Sequence, residues 1–234
     1  MAGVRQYAHL FFDLDHTLWD FRSNSRETLT ELYAEERLQE RGVGDLDEFI
    51  GCYEEVNEGL WGRYEAGNLP KEVLRVLRFR NTLIKFGVKD EKLVDRLGDQ
   101  YLQRCPLKPH LMPGAKGLLQ DLSAHYRLHV ITNGFDEVQS LKIESSGITH
   151  FFSEIITSER AGARKPDPRI FGHAQELVRG RKEDCFMVGD NPLADMLGAR
   201  QAGWDHAHFA AEVKPDEHAT YRVQHLDELR PILH

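Results

Sequence analysis

Apolar and polar positions follow two different rhythms along this chain. A short apolar run, Leu10-Phe11-Phe12, reads as one buried strand and stops at the polar stretch Asp13-Leu14-Asp15-His16-Thr17. Beyond it the spacing turns helical. Leu29, Leu32, Tyr33 and Leu38 mark one face of a segment over 26–41, with Ser25 placed to cap it and Glu27 in its first turn. The glycines at 42 and 44 interrupt the pattern. Phe49, Ile50, Tyr53, Val56, Leu60, Trp61 and Tyr64 then stripe a second helix over 46–66, closed by Gly67-Asn68. Two more helices are expected over 71–86 and 91–104, before Pro106 and Pro109. Residues 18–107 therefore predict an all-helical segment.

From Pro113 onward, strands and helices alternate. The pattern predicts helices over 114–124, 137–146, 168–178 and 193–202, and strands over 127–131, 151–156, 185–188 and 204–209, with a helical tail over 227–233. Apolar strands separated by helices imply a parallel sheet covered on both faces. The lone strand at Leu10–Phe12 needs such a sheet. The expected architecture is thus an α/β, Rossmann-like core made of residues 1–17 and 108–234, interrupted by a helical cap over 18–107.

Composition narrows the partners. The chain has 234 residues, 41% hydrophobic and 29% charged, with a formal net charge of −8. That balance disfavours a nucleic acid polymer, whose binding depends on Lys and Arg neutralising phosphates. It leaves room for a small anion in a locally positive pocket. Cys52, Cys105 and Cys185 are far apart and form no CxxC pair, which points to reduced thiols in a cytoplasmic protein. The start of the chain reads as no signal peptide. No apolar run approaches a membrane span, so no membrane partner is expected.

The polar residues that follow strands carry the chemistry. Asp13 and Asp15 sit two apart at the end of the first strand. Thr132-Asn133-Gly134 follows the strand over 127–131. Lys165-Pro166-Asp167-Pro168 follows a loop containing Gly162. Gly189-Asp190-Asn191-Pro192-Leu193-Ala194-Asp195 follows the strand over 185–188. Taken singly these are a turn, a helix start and a helix cap. Their order, DxDxT, TNG, KPDP and GDxxxxD at the carboxyl ends of strands, resembles the four motifs of the haloacid dehalogenase superfamily of aspartate-nucleophile hydrolases. The resemblance covers the whole core, and the helical segment resembles that superfamily's cap. Within the superfamily the chain looks most like the pyrimidine 5′-nucleotidases that act on noncanonical nucleotides. Phe12-Asp13-Leu14-Asp15-His16-Thr17-Leu18-Trp19, Val56-Asn57-Glu58-Gly59-Leu60-Trp61 with Tyr64 and Gly67, Arg78-Phe79 and Ile131-Thr132-Asn133-Gly134-Phe135 carry that likeness.

The resemblance implies a Mg²⁺-dependent phosphomonoesterase acting through an aspartyl-phosphate, with a small phosphate ester, a nucleoside monophosphate, as substrate and a monomer or homodimer as the working form. Asp13 is implied as nucleophile and Asp15 as acid and base. Crowded carboxylates and partial burial are expected to raise the Asp15 pKa. The implied Mg²⁺ ligands are the Asp13 and Asp190 carboxylates and the Asp15 carbonyl, with Asp195 in support. Lys165, the Thr132 hydroxyl and the N–H groups of Asn133 and Gly134 are implied to hold phosphate. A second acid at position 15 separates phosphatases from the dehalogenases, which need no protonated leaving group. Trp19, Phe21, Asn57, Trp61 and Tyr64 are candidates for contacting a base, whereas Arg78 is read as pairing with substrate or, by preference, with a cap acid in a surface ion pair. His206 and His208 are read as ordinary. The rivals are a phosphatase for a small sugar phosphate or other metabolite, a non-catalytic phosphate-binding regulator, and a phosphomutase, which shares the aspartyl-phosphate but excludes water.

Overall fold

The computed structural model describes residues 7–211 and 214–233. The chain divides into two compact units, one holding the chain up to Phe21 and from Pro109 onward, the other running from Arg22 to Lys108. The helical unit thus starts at Arg22 rather than at residue 18, and Trp19 and Phe21 belong with the sheet. Strand β1 (His9–Phe12) is buried at every position.

Four helices make up most of the second unit: α1 (Phe21–Glu35), α2 (Leu46–Glu65), α3 (Lys71–Lys85) and α4 (Glu91–Arg104). α1 begins earlier than its apolar spacing implied. Ser25 is therefore no cap but a buried position inside the helix, and its Oγ accepts a hydrogen bond from the Tyr101 hydroxyl at 2.8 Å. α1 also stops sooner, because Arg37 takes a left-handed conformation with φ 53° and Leu38–Arg41 forms a separate 3₁₀ turn. Asp45 caps α2 by accepting from the Glu48 N–H at 2.9 Å, and Asp90 caps α4 from the Leu93 N–H at 3.1 Å. Tyr53, Phe79 and Tyr101 pack ring against ring, with centres 5.0 to 5.6 Å apart. Arg78 lies among them and overturns its sequence reading. It is 5% exposed, its guanidinium carbon is 4.6 Å from the Tyr101 ring centre, and its Nε and Nη2 have no hydrogen-bond partner among the described residues.

The rest of the sheet unit continues with α5 (Ala115–Leu122), β2 (Arg127–Thr132), α6 (Asp136–Ser145), β3 (Phe152–Thr157), α7 (Ser158–Ala161), α8 (Pro168–Val178) and β4 (Cys185–Gly189). It closes with α9 (Gly198–Ala202), β5 (Asp205–Phe209), β6 (Tyr221–Val223) and α10 (Arg230–Leu233). The six strands pair in parallel in the order β3-β2-β1-β4-β5-β6. β1 is central, with Phe12 opposite Val130 on one side and Val188 on the other. A strand buried on both faces must be apolar throughout, which is why Leu10–Phe12 and Cys185–Val188 show no alternation. Phe11, Ile131, Ile156, Phe171, Met187, Met196 and Trp204 share one apolar core. The chain turns from one side of β1 to the other between β3 and β4, so the crevice beyond the carboxyl end of β1 is the topological switch point.

Local details there set the stage for chemistry. Trp19 bridges antiparallel to Leu111, with Asp20 N–H on the His110 carbonyl at 3.1 Å and Met112 N–H on the Leu18 carbonyl at 2.8 Å. The helix expected over 193–202 begins instead as a π-helical turn, Pro192–Leu197. Asn191 caps it: its Oδ1 accepts from both Leu193 and Ala194 N–H, and its carbonyl accepts from Met196 N–H five residues on. Among the described residues no helix is long and apolar enough to cross a membrane.

Candidate active site

Asp13 follows β1 directly, and its N–H extends the ladder onto the Val188 carbonyl at 2.9 Å. The residue is 8% exposed. Lys165 reaches it from the loop before α8. The Lys165 ammonium is 2% exposed and donates to Asp13 Oδ1 at 2.6 Å, Asp195 Oδ1 at 2.6 Å and the Ile131 carbonyl at 2.8 Å. Those three bonds use every hydrogen it has. Burial works against its charge, but Asp13 and Asp195 raise its pKa above the ordinary lysine value, so it is a fixed cation.

Asn133 holds the Lys165 backbone in place. Its Oδ1 accepts from the Lys165 N–H at 2.8 Å, and its Nδ2 donates to the Lys165 carbonyl at 3.0 Å. Gly134 N–H donates to Thr132 Oγ1 at 3.1 Å, which commits a group that the motif reading had turned toward phosphate. Thr132 itself is 2% exposed at the carboxyl end of β2, beside β1.

The acids after β4 complete the cluster. Asp190 Oδ1 accepts from the Thr17 hydroxyl at 3.0 Å. The π-helical turn carries Asp195 back under the sheet edge, fully buried, where Oδ2 accepts from the Asn191 N–H at 3.1 Å and Oδ1 from Lys165. A Cβ at Gly189 would lie 2.2 Å from Asp195 Oδ2, so only glycine fits beside this carboxylate. Oxygens of Asp13, Asp190 and Asp195 lie within 4.8 Å of one another. Burial, together with the Asp195 and Asp190 charges, pushes Asp13 well above the usual carboxylate range despite Lys165. Burial and then Asp195 push Asp190 up to about 7. One ammonium does not balance these acids, and a set of hard oxygen donors with surplus negative charge fits a divalent cation. Both Asp195 oxygens are already occupied, so Asp13 and Asp190 are the carboxylates best placed to hold one. His208 steadies that loop: its Nε2 lies 2.8 Å from the Asp190 carbonyl, and its Nδ1 accepts from the Asp216 N–H at 2.8 Å.

Asp15 departs from expectation. Its Oδ1 accepts from Lys142 Nζ at 2.6 Å and its Oδ2 from Gln139 Nε2 at 2.9 Å. Burial would raise its pKa, but the adjacent ammonium and these bonds bring it below the ordinary value, so Asp15 is ionised here. Neither α6 residue was among the candidates read from sequence. Lys142 is 5% exposed, and its Nζ lies 4.5 Å from the Trp19 ring centre and 5.7 Å from that of Phe21. Trp19, fully buried, thus walls in the Lys142 cation and offers no open face for a base. In the helical unit, Asn57 and Tyr64 are also buried, and Trp61 meets Tyr64 edge-on at 5.3 Å.

This buried lysine and the clustered acids at a switch point are accompanied by direct likeness. Residues 7–203 match the family model described as haloacid dehalogenase-like hydrolase, and the chain belongs to that family. It is 30% identical to the pyrimidine 5′-nucleotidase YjjG of Escherichia coli, covering 96% of each chain. It is 42% identical to a glyceraldehyde 3-phosphate phosphatase of Methanothermobacter thermautotrophicus, covering 83% of this chain and 81% of that one. A magnesium-bound crystal structure of the HAD-hydrolase YfnB of Bacillus subtilis superposes with a TM-score of 0.88 at 27% identity, over 97% of this chain and 99% of that one.

Proposed function

We propose that this chain is a Mg²⁺-dependent phosphomonoesterase, a 5′-nucleotidase for pyrimidine nucleoside monophosphates including noncanonical ones. The observation that carries the chemistry is the different environment of the two acids after β1. Asp13 is pinned through one oxygen by a buried ammonium, as a nucleophile needs to be. Asp15, two residues on, has its own donors. Asp13 attacks phosphorus and the ester P–O bond breaks, while the departing alkoxide takes a proton from Asp15, which is ionised in the resting site and must first take that proton up as the phosphate monoester monoanion binds and gives up its own. Asp15, now ionised, takes a proton from water as that water attacks the aspartyl-phosphate. The P–O bond to Asp13 breaks, and inorganic phosphate and the free carboxylate result. Lys165 and the Thr132 hydroxyl stabilise charge on the phosphoryl oxygens. Asp13 and Asp190, with the Asp15 carbonyl, would hold Mg²⁺, which when bound neutralises charge between carboxylates and phosphate.

The nucleotidase reading rests on likeness along the full length of YjjG, helical unit included. The second reading, a phosphatase for a phosphorylated sugar or triose, is favoured by the 42% identity to the glyceraldehyde 3-phosphate phosphatase. A panel of esters decides between them by phosphate release. UMP, dUMP and TMP are expected to exceed sugar and triose phosphates in kcat/KM; the opposite order would replace the first reading by the second. Chelation of divalent cations and Asp13→Asn are each expected to abolish turnover. Lys165→Ala is expected to lower it by about 10²–10³-fold or more. Undiminished turnover by purified Asp13→Asn would refute the nucleophile.

A further inference from the structure

The Thr132 hydroxyl accepts two hydrogen bonds, from the Gly134 N–H at 3.1 Å and from Gln139 Nε2 at 2.8 Å. A hydroxyl has two lone pairs and one hydrogen, so both acceptor positions are filled and only donation remains. Gln139 spends its other amide hydrogen on Asp15 Oδ2 at 2.9 Å. One side chain therefore joins the Thr132 hydroxyl to the Asp15 carboxylate. Its orientation is fixed by its neighbours, because the reversed amide would set Oε1 against the carboxylate, acceptor against acceptor. Gln139 is fully buried, and Oε1 has no hydrogen-bond partner among the described residues. A buried carbonyl left in that state is unfavourable, and an apolar side chain of the same length would avoid it. Packing alone thus gives no reason for an amide here. The turn is also built around it: a Cβ on Gly134 would lie 1.9 Å from Gln139 Nε2.

We propose that Gln139 is a positioning residue that fixes the Thr132 hydroxyl as a donor toward the phosphoryl group and ties it to Asp15. The proposal rests on the phosphomonoesterase reading and names a residue outside the four motifs. Without the amide, the hydroxyl regains a free lone pair and can turn its hydrogen elsewhere, including toward Asp15. The loss falls on the reacting phosphoryl group rather than on the rest of the substrate, so it belongs in kcat.

A double-mutant cycle on the full-length, Mg²⁺-loaded enzyme tests this, using the ester best turned over by the wild type. Gln139→Met is expected to lower kcat about 10- to 100-fold, with KM changed by less than about threefold. Thr132→Val is expected to lower kcat about 10²–10³-fold. The double variant is expected to lie within about threefold of Thr132→Val alone, because Gln139 acts through that hydroxyl. Losses that multiply, an unchanged kcat in Gln139→Met, or a loss confined to KM would each overturn the proposal. If Gln139→Met fails to accumulate as folded protein, Gln139→Leu carries the same cycle, being apolar and of similar size with no N–H to give. A wild type that hydrolyses no phosphate ester would remove the phosphomonoesterase reading and this proposal with it. An active wild type with an additive cycle removes this proposal alone.

Discussion

His129 stands midway along β2, opposite Phe11 on β1, and stacks on Phe11 with ring centres 4.7 Å apart. Its Nε2 shares one hydrogen bond with His9 Nδ1 at 3.1 Å, and it is 1% exposed. Burial, followed by the charges of His9 and Arg127, lowers its pKa from 6.5 to about 4. Between those values the unfolded chain binds more protons than the folded one. Stability therefore rises with pH through the window, is fully present above pH 6.5 and is lost toward pH 4. The effect is at most about 3 kcal/mol, and His9, also lowered, acts in the same direction. Urea midpoints measured from pH 4 to 7 are expected to fall more steeply on acidification for the wild type than for His129→Gln; parallel curves would refute this. At the same scale, Asp13, Asp15, Thr132 and Asp190 were legible because each stands where an apolar strand ends, whereas Lys165, in the loop before α8, and Asp195, in the π-helical turn, were reached only through the resemblance of their motifs. Gln139 and Lys142 were not. They sit one turn apart on α6 among other polar residues, and a buried face carrying an amide and an ammonium leaves no apolar stripe to betray it. The one available sign was a helix with too few apolar positions to cover a sheet. The Asp15 pKa was misjudged for the same reason, since its cation comes from that unseen face.

Elements were legible in proportion to their periodicity. α4 and α8 lie at Glu91–Arg104 and Pro168–Val178, where the apolar spacing and the flanking Pro and Asp residues placed them. β6 has three residues, too few to show a period. The π-helical turn before α9 keeps ordinary helical spacing in sequence, because the extra width lies in a backbone bond, from the Met196 N–H to the Asn191 carbonyl, that leaves no mark on the apolar positions. α3 raises a different matter. Arg78 holds a charge inside the aromatic packing of the helical unit with two nitrogens lacking partners among the described residues. A buried ion with nitrogens left unbonded is costly, and an unbranched apolar chain keeps most of the ring contact. Arg78→Met is thus expected to stabilise the protein by about 1–3 kcal/mol, read as a higher melting temperature. A lower melting temperature would show that the guanidinium is compensated within the folded chain.

For the molecule as a whole, the paired stretches around Trp19 and Leu111 bring the two ends of the helical unit side by side. The sheet unit has its own apolar core, so replacing residues 22–108 by a short Gly-Ser linker is expected to leave cooperative thermal unfolding intact. A broad, non-cooperative transition would show that the two units stand or fall together. The discontinuity was legible because a single apolar strand at residues 10–12 had no neighbour within the next hundred residues. The same arrangement has a consequence for how the chain is made. β1 leaves the ribosome first, yet its partners are β2, from Arg127, and β4, from Cys185. At about 5–20 residues per second, the last of them follows on the order of ten seconds or more later. The helical unit, contiguous in sequence, is complete well before then. The strand that leads into Asp13 therefore spends the longest time of any in the sheet with its edges open, and faster or slower translation of the second half of the message changes how long a nascent chain carries that exposed edge.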